Sequence, residues 1–165
     1  PEKILQLREL ALKEVAHYLE RKINVEVPGQ IKLRPEKFMA CISTNHHIAK
    51  VIIRKTARLA SYYGSPWIVL YVQNTSESGD KIKLDLQRHL INNFKLATEL
   101  GAEVIKIKSD DITQSIATVA REKEITTICI GKPHLTLYQI ITRTAIFIKL
   151  LKNISETEID LVILS

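Results

Sequence analysis

Phe38-Met39-Ala40-Cys41-Ile42-Ser43 is an apolar run that ends in a polar turn, Thr44-Asn45-His46-His47. A helical period then begins, with Ile48, Val51, Ile52, Leu59 and Tyr62 at three- and four-residue steps up to Gly64 and Pro66. A short apolar run without polar alternation reads as a strand buried on both faces. The following helix then makes this segment the first half of a strand–helix–strand unit.

The same pattern repeats outward. Trp67 to Gln73 is a second strand, and residues 80–100 form a helix with Asp80 placed to cap it and Gly101 just past its end. Val104 to Lys108 is a third strand, and Ser109-Asp110-Asp111 offers a cap for a helix reaching about Lys123. Thr126 to Ile130 is a fourth strand closed by Gly131-Lys132-Pro133, residues 138–152 are helical, and Asp160 to Leu164 is a fifth strand. Alternation with short connections and right-handed crossovers gives an α/β fold, a doubly wound five-stranded parallel sheet with helices on both faces. Two strand orders fit, 2-1-3-4-5 and 3-2-1-4-5, and the second is adopted. Its winding reverses between strands 1 and 4, so a ligand is expected beyond their carboxyl ends, near residues 43–48 and 131–138.

Upstream, Ile4, Leu7, Leu10, Ala11, Val15 and Tyr18 mark a helix over residues 1–23, and Pro28, Gly29 and Pro35 mark a linker. Residues 1–36 are therefore read as an N-terminal helix and linker, and 37–165 as the sheet domain. The length of 165 residues suits one such domain, and a 45% apolar content excludes a disordered chain. Cys41 and Cys129 each stand alone in apolar runs and read as reduced thiols. No apolar stretch reaches the ~20 residues of a membrane span, and no signal peptide opens the chain. Because it starts at Pro1 without a Met, the chain reads as an excised cytoplasmic segment.

Charge is unevenly distributed. Residues 38–76 hold Lys50, Arg54, Lys55 and Arg58 and no acid, and residues 125–155 hold Lys132, Arg143, Lys149 and Lys152 and no acid. These stretches carry eight positive charges against a total of +6, which leaves the remainder at −2. The excess falls in the two units that flank the expected crevice, so their cations are expected to converge there on an anionic ligand.

The candidate ligand residues follow. Ser43, Thr44, Asn45 and His46 offer polar contacts at a helix start, where Thr44 or Asn45 also serves as the cap. Gly131 permits close backbone approach, and Lys132 can meet a phosphate. Trp67 and Tyr71 share one face of strand 2, where they belong to the core, stack on a base or, through the Tyr71 hydroxyl, contact the ligand. His46 and His47 are adjacent, point apart on a helix and do not form a metal site. Asp110 and Asp111 suit a helix start. No nucleophile–base pair, P-loop or nucleic-acid motif is present, so neither catalysis nor nucleic-acid binding is expected.

Several stretches resemble one family in order and spacing: Leu7-Arg8-Glu9-Leu10-Ala11-Leu12, Met39-Ala40-Cys41-Ile42-Ser43, Arg54-Lys55-Thr56-Ala57-Arg58-Leu59-Ala60, Trp67-Ile68-Val69-Leu70-Tyr71-Val72, Glu99-Leu100-Gly101-Ala102-Glu103-Val104 and Ile130-Gly131-Lys132-Pro133. The family is the universal-stress-protein-like domain of KdpD-type, potassium-responsive sensor histidine kinases of bacteria. The resemblance implies a cytoplasmic input domain of an inner-membrane two-component kinase that controls potassium uptake, without the kinase core or membrane spans. Residues 1–30 would then close a preceding Walker-type sensor domain. Some members bind cyclic di-AMP through a Ser-x-Ser pair after strand 1 and a Phe-Thr-Ala-x-Tyr run on strand 2. Trp67 to Tyr71 resembles the second element, while Thr44 and His46, or Ser43 and Asn45, stand at the first. ATP-binding universal stress proteins carry Gly-x2-Gly-x9-Gly-Ser/Thr after strand 4. Here Gly131 matches the first glycine, His134 stands at the second, Thr144-Ala145 lies near the last pair, and Ser43 stands where an Asp is usual.

The expected function is a non-catalytic domain that senses a small anionic nucleotide, cyclic di-AMP or ATP, and reports it to the other domains of the kinase. The alternative is a ligand-free interaction module or homodimer using the apolar strand 5. No cofactor is otherwise expected, and the fragment itself is expected to make no nucleic-acid or membrane contact.

Overall fold

The computed structural model describes residues 35–75, 83–132 and 148–165. The strands are β1 (Phe38–Ile42), β2 (Trp67–Gln73), β3 (Glu103–Lys108), β4 (Thr127–Gly131) and β5 (Asp160–Leu164). The helices between them are α1 (His46–Tyr63), α2 (Leu84–Glu99) and α3 (Ile112–Glu122), and residues 148–154 are also helical. The expected N-terminal helix, the Asp80 cap and the first part of the helix at 138–152 lie outside the described residues.

All strand pairs are parallel, in the order β3-β2-β1-β4-β5. This is the adopted order, and the winding reverses between β1 and β4. Alternation along β1 sends Phe38, Ala40 and Ile42 to one face and Met39 and Cys41 to the other. On the first face α1 and α2 cover Trp67, Val69 and Tyr71 with Ala49, Ile52, Ile53, Phe94 and Ala97. On the second, α3 and the 148–154 helix cover Ile68, Leu70 and Ile128 with Ile116, Ala120, Leu150 and Ile154. Each sheet face is sealed by helices, which is why β1 and β2 read as continuous apolar runs rather than alternating ones.

The helix ends position the rest. Asn45 caps α1 by accepting the Ile48 N–H at 3.3 Å on its Oδ1, so of the two expected caps it is Asn45 that serves. Gly64 closes α1 with a φ of 60°, a left-handed conformation that a glycine adopts without a Cβ clash. Asp111 caps α3 by accepting the Gln114 N–H at 3.0 Å. Removing the α1 cap with Asn45→Ala is expected to lower stability by about 1 kcal/mol. An unchanged urea midpoint would show that the cap carries no weight there.

Candidate functional site

The carboxyl ends of β1 and β4 open into a cavity of about 230 Å³. Its described walls come from five elements or their ends. Cys41, Ile42 and Ser43 extend from β1, and Gly131 and Lys132 end β4. Ile48 and Ile52 come from α1, Leu70 and Val72 from β2, and Ile112 and Ile116 from α3. The floor is thus apolar, and Ser43 and Lys132 supply its polar groups. A cavity at this place follows from the topology: α1 leaves β1 toward one face of the sheet, α3 packs on the other, and the described residues leave the strand ends between them open.

Of the eight residues singled out from sequence, the structure brings Ser43, Gly131 and Lys132 to the cavity wall. The Ser43 hydroxyl accepts the Asn45 N–H at 3.3 Å, which holds the turn between β1 and α1. The Lys132 N–H is committed to the Leu164 carbonyl at 2.7 Å, so its backbone is fixed by β5 while its side chain is exposed. Thr44, Asn45 and His46 border this turn but do not line the cavity. Trp67 pairs with Phe38 at the opposite end of the sheet and is 5% exposed. Tyr71 lies level with Ile42, 3% exposed, its ring 5.8 Å from that of Phe94. Burial therefore corrects the stacking role considered for Trp67 and Tyr71: both rings are covered by helices on the α1–α2 face.

The expectation that the cations converge is also corrected. Lys132 reaches the cavity, but Lys50, Arg54, Lys55 and Arg58 do not line it. Lys50, Arg54 and Arg58 are exposed on α1, and Lys55 donates to the Ser165 carbonyl oxygen. Lys149 pairs with Asp111 at 2.7 Å. Arg143 lies outside the described residues. A helix about five turns long has room for a buried stripe and an outward one, and its charges belong to the outward stripe.

Glycine at position 131 has a packing reason. A Cβ there would overlap Ile48 Cγ2 and come within 2.9 Å of Ile52 Cδ1. Side chains of α1 occupy the space that a larger residue would need, so the missing side chain sets how closely α1 approaches β4.

Two features next to the site escaped sequence reasoning. The His46 and His47 rings, expected to point apart, lie 3.9 Å apart, and His89 of α2 stacks on His46 at 4.0 Å with an interplanar angle of 12°. Desolvation, then His47, His89 and Lys50, push the His46 pKa below its usual value. Asn93, buried on α2, donates to the His46 carbonyl at 3.4 Å. The polar members of α2 at 89 and 93 are spaced i, i+4, and that spacing was the available signal. Among the described residues no group of three metal-binding side chains is positioned to hold an ion.

The thiol chemistry of Cys41 on the wall, and of Cys129 behind it in the core, is muted. Burial and the neighbouring Cys129 push the Cys41 thiol far up, and burial also raises Cys129, so both stay protonated at neutral pH and are poor nucleophiles. The carboxylates at the start of α3 shift the other way. The Lys149 ammonium, with the Gln114 N–H and the Thr113 hydroxyl, lowers Asp111 to about 2. The Thr75 N–H and hydroxyl, at 2.9 and 2.8 Å, lower Asp110. A depressed carboxylate stabilises the fold above the unfolded value of about 4, and this contribution is lost as pH falls through the folded value. The urea midpoint of the native chain is therefore expected to fall between pH 4 and 2 by more than that of Asp111→Asn. Parallel falls would contradict the Asp111–Lys149 contribution.

Comparison with known proteins gives two kinds of similarity. The chain is 34% identical over 132 residues to the sensor protein KdpD of Clostridium acetobutylicum, covering 78% of this chain and 14% of that protein. It is 29% identical over 134 residues to the sensor protein KdpD of Escherichia coli, covering 79% of this chain and 15% of that one. The chain thus spans about a seventh of the length of these relatives. No family model matches it. Among solved structures, a universal stress protein in complex with cAMP superposes with a TM-score of 0.56 at 10% identity, covering 78% of this chain and 94% of that one. Similarity in sequence to the sensor proteins and in fold to the stress proteins agree, and together they place the chain among the universal-stress-protein-like domains of KdpD-type sensor proteins.

Proposed function

We propose that the chain is the input domain of a potassium-responsive sensor histidine kinase and receives a small anionic nucleotide in the cavity between β1 and β4. The observation that carries this reading is the wall itself. An apolar floor ends in a serine hydroxyl and a lysine at the point where the sheet winding reverses. Such a floor accepts a base or sugar edge, and Lys132 meets a phosphate. That a universal stress protein of this fold takes cAMP supports a nucleotide over other anions. The two candidates are cyclic di-AMP and ATP, and the domain performs no chemistry on either. It passes occupancy to the other domains of the parent kinase, on the cytoplasmic side of the inner membrane. Among the described residues no helix is long and apolar enough to cross a membrane.

Titration calorimetry of the full chain with cyclic di-AMP and with ATP tests the reading. Saturable heat with one nucleotide, and no phosphate release over hours, is expected. Absence of heat with both at millimolar concentration would reject the nucleotide.

A second reading has its own observation. β5 is an edge strand with Ile163 half exposed, and open edges pair with other chains. A domain that dimerises through β5 without a ligand would show a concentration-dependent sedimentation coefficient that nucleotide leaves unchanged.

A further inference from the structure

The cations of the acid-free stretch over residues 38–76 do not line the cavity and need another explanation. Lys50, Arg54 and Arg58 stand at i, i+4 and i+8 on α1, and all three are exposed. At 1.5 Å per residue they form a line of charges about 6 Å apart. Among the described residues none of them has an ion-pair partner. The next position on the ridge, Tyr62, is 83% exposed, and Val51 beside it is 39% exposed.

We infer that this ridge of α1 is a docking face for a bilayer surface bearing anionic phospholipid headgroups. Three observations select that occupant. First, the ridge carries one sign of charge only. A surface of uniform negative charge complements such a ridge at any register. Second, α1 is packed along its length against β1, β4 and α2. Held so, it does not project as a free helix into a nucleic-acid groove, and its exposed ridge of i, i+4 and i+8 cations is offered to a surface that lies across it. Third, an exposed tyrosine and a partly exposed valine accompany the cations. Aromatic and aliphatic groups beside Lys and Arg are the composition that settles at a membrane–water interface. This departs from the expectation that the fragment makes no membrane contact. It is independent of whether the cavity takes a nucleotide.

Each cation near an anionic bilayer contributes about fivefold in affinity, so three contribute on the order of a hundredfold. The test is co-sedimentation of the full chain with phosphatidylcholine vesicles, with and without about one-quarter phosphatidylglycerol, at low and high salt. The chain is expected to pellet with the anionic vesicles at low salt, to be released by high salt and to ignore the neutral vesicles. The triple variant Lys50→Gln/Arg54→Gln/Arg58→Gln is expected to lose on the order of a hundredfold in binding. Lys83→Gln/Lys108→Gln/Lys152→Gln, which removes the same charge from other exposed positions, is expected to lose at most a few-fold. All six side chains are exposed, and circular dichroism checks that both variants keep the fold. Equal binding to neutral and anionic vesicles, equal loss in the two triple variants, or binding to an acidic protein or RNA with none to anionic vesicles would each overturn the inference.

Discussion

Gly131→Ala is expected to destabilise the domain by about 1–3 kcal/mol, the usual cost of adding atoms to a packed interface. In a domain of this size that corresponds to a Tm lowered by roughly 2–4 °C per kcal/mol. The cause is specific. The added methyl group would overlap Ile48 Cγ2 and crowd Ile52 Cδ1, so both side chains, which pack on the core and line the cavity, would have to shift to admit it. Because the clash is pairwise, shortening Ile48 relieves it. Gly131→Ala/Ile48→Ala is expected to be more stable than the sum of the two single losses implies, with a coupling of about 0.5–3 kcal/mol. Urea denaturation of the four proteins of this cycle measures it. A Gly131→Ala chain as stable as the native one would show that the closeness of α1 to β4 has slack.

That glycine shows what sequence could convey. Its place at the end of β4 was legible, because a Gly-Lys-Pro run after an apolar strand marks a turn. Its reason was not. Close approach to a ligand and close approach of a helix demand the same residue, and only the position of Ile48 separates them. The strands and their order were legible for a stronger reason. Five apolar runs separated by helical periods leave few right-handed windings, and β5 falls on the residues expected of it. Helix ends were legible where a side chain caps them, as at Asn45 and Asp111. The charge pattern misled in an instructive way. Lys50, Arg54 and Arg58 follow strand 1 closely in sequence, but a helix turns them away from the strand's end within a few residues. Trp67 and Tyr71 share a face, as expected, yet that face is roofed by α1 and α2. The His46–His89 stack joins residues 43 positions apart in the chain, a contact that no local spacing encodes.

Lys132→Ala is expected to weaken nucleotide binding roughly ten- to a hundredfold, the worth of a hydrogen bond to a charged group. The substitution suits this test because it leaves the fold alone. The Lys132 side chain is exposed, and the bond that ties this residue to β5 runs from its backbone N–H to the Leu164 carbonyl. Lys152→Ala removes the same charge from the exposed surface of the 148–154 helix and is expected to change affinity by less than about twofold, which separates a local contact from a change in net charge. If the two variants bind alike, phosphate recognition does not use Lys132.

The most direct examination of the cavity is a backbone amide NMR titration of the full chain with cyclic di-AMP and with ATP. Occupancy between β1 and β4 predicts saturable shifts at Cys41 to Ser43, Ile112 to Ile116, Gly131 and Lys132, with the outer ridge of α1 unmoved. Shifts confined to that ridge or to β5, or none at millimolar nucleotide, would contradict it.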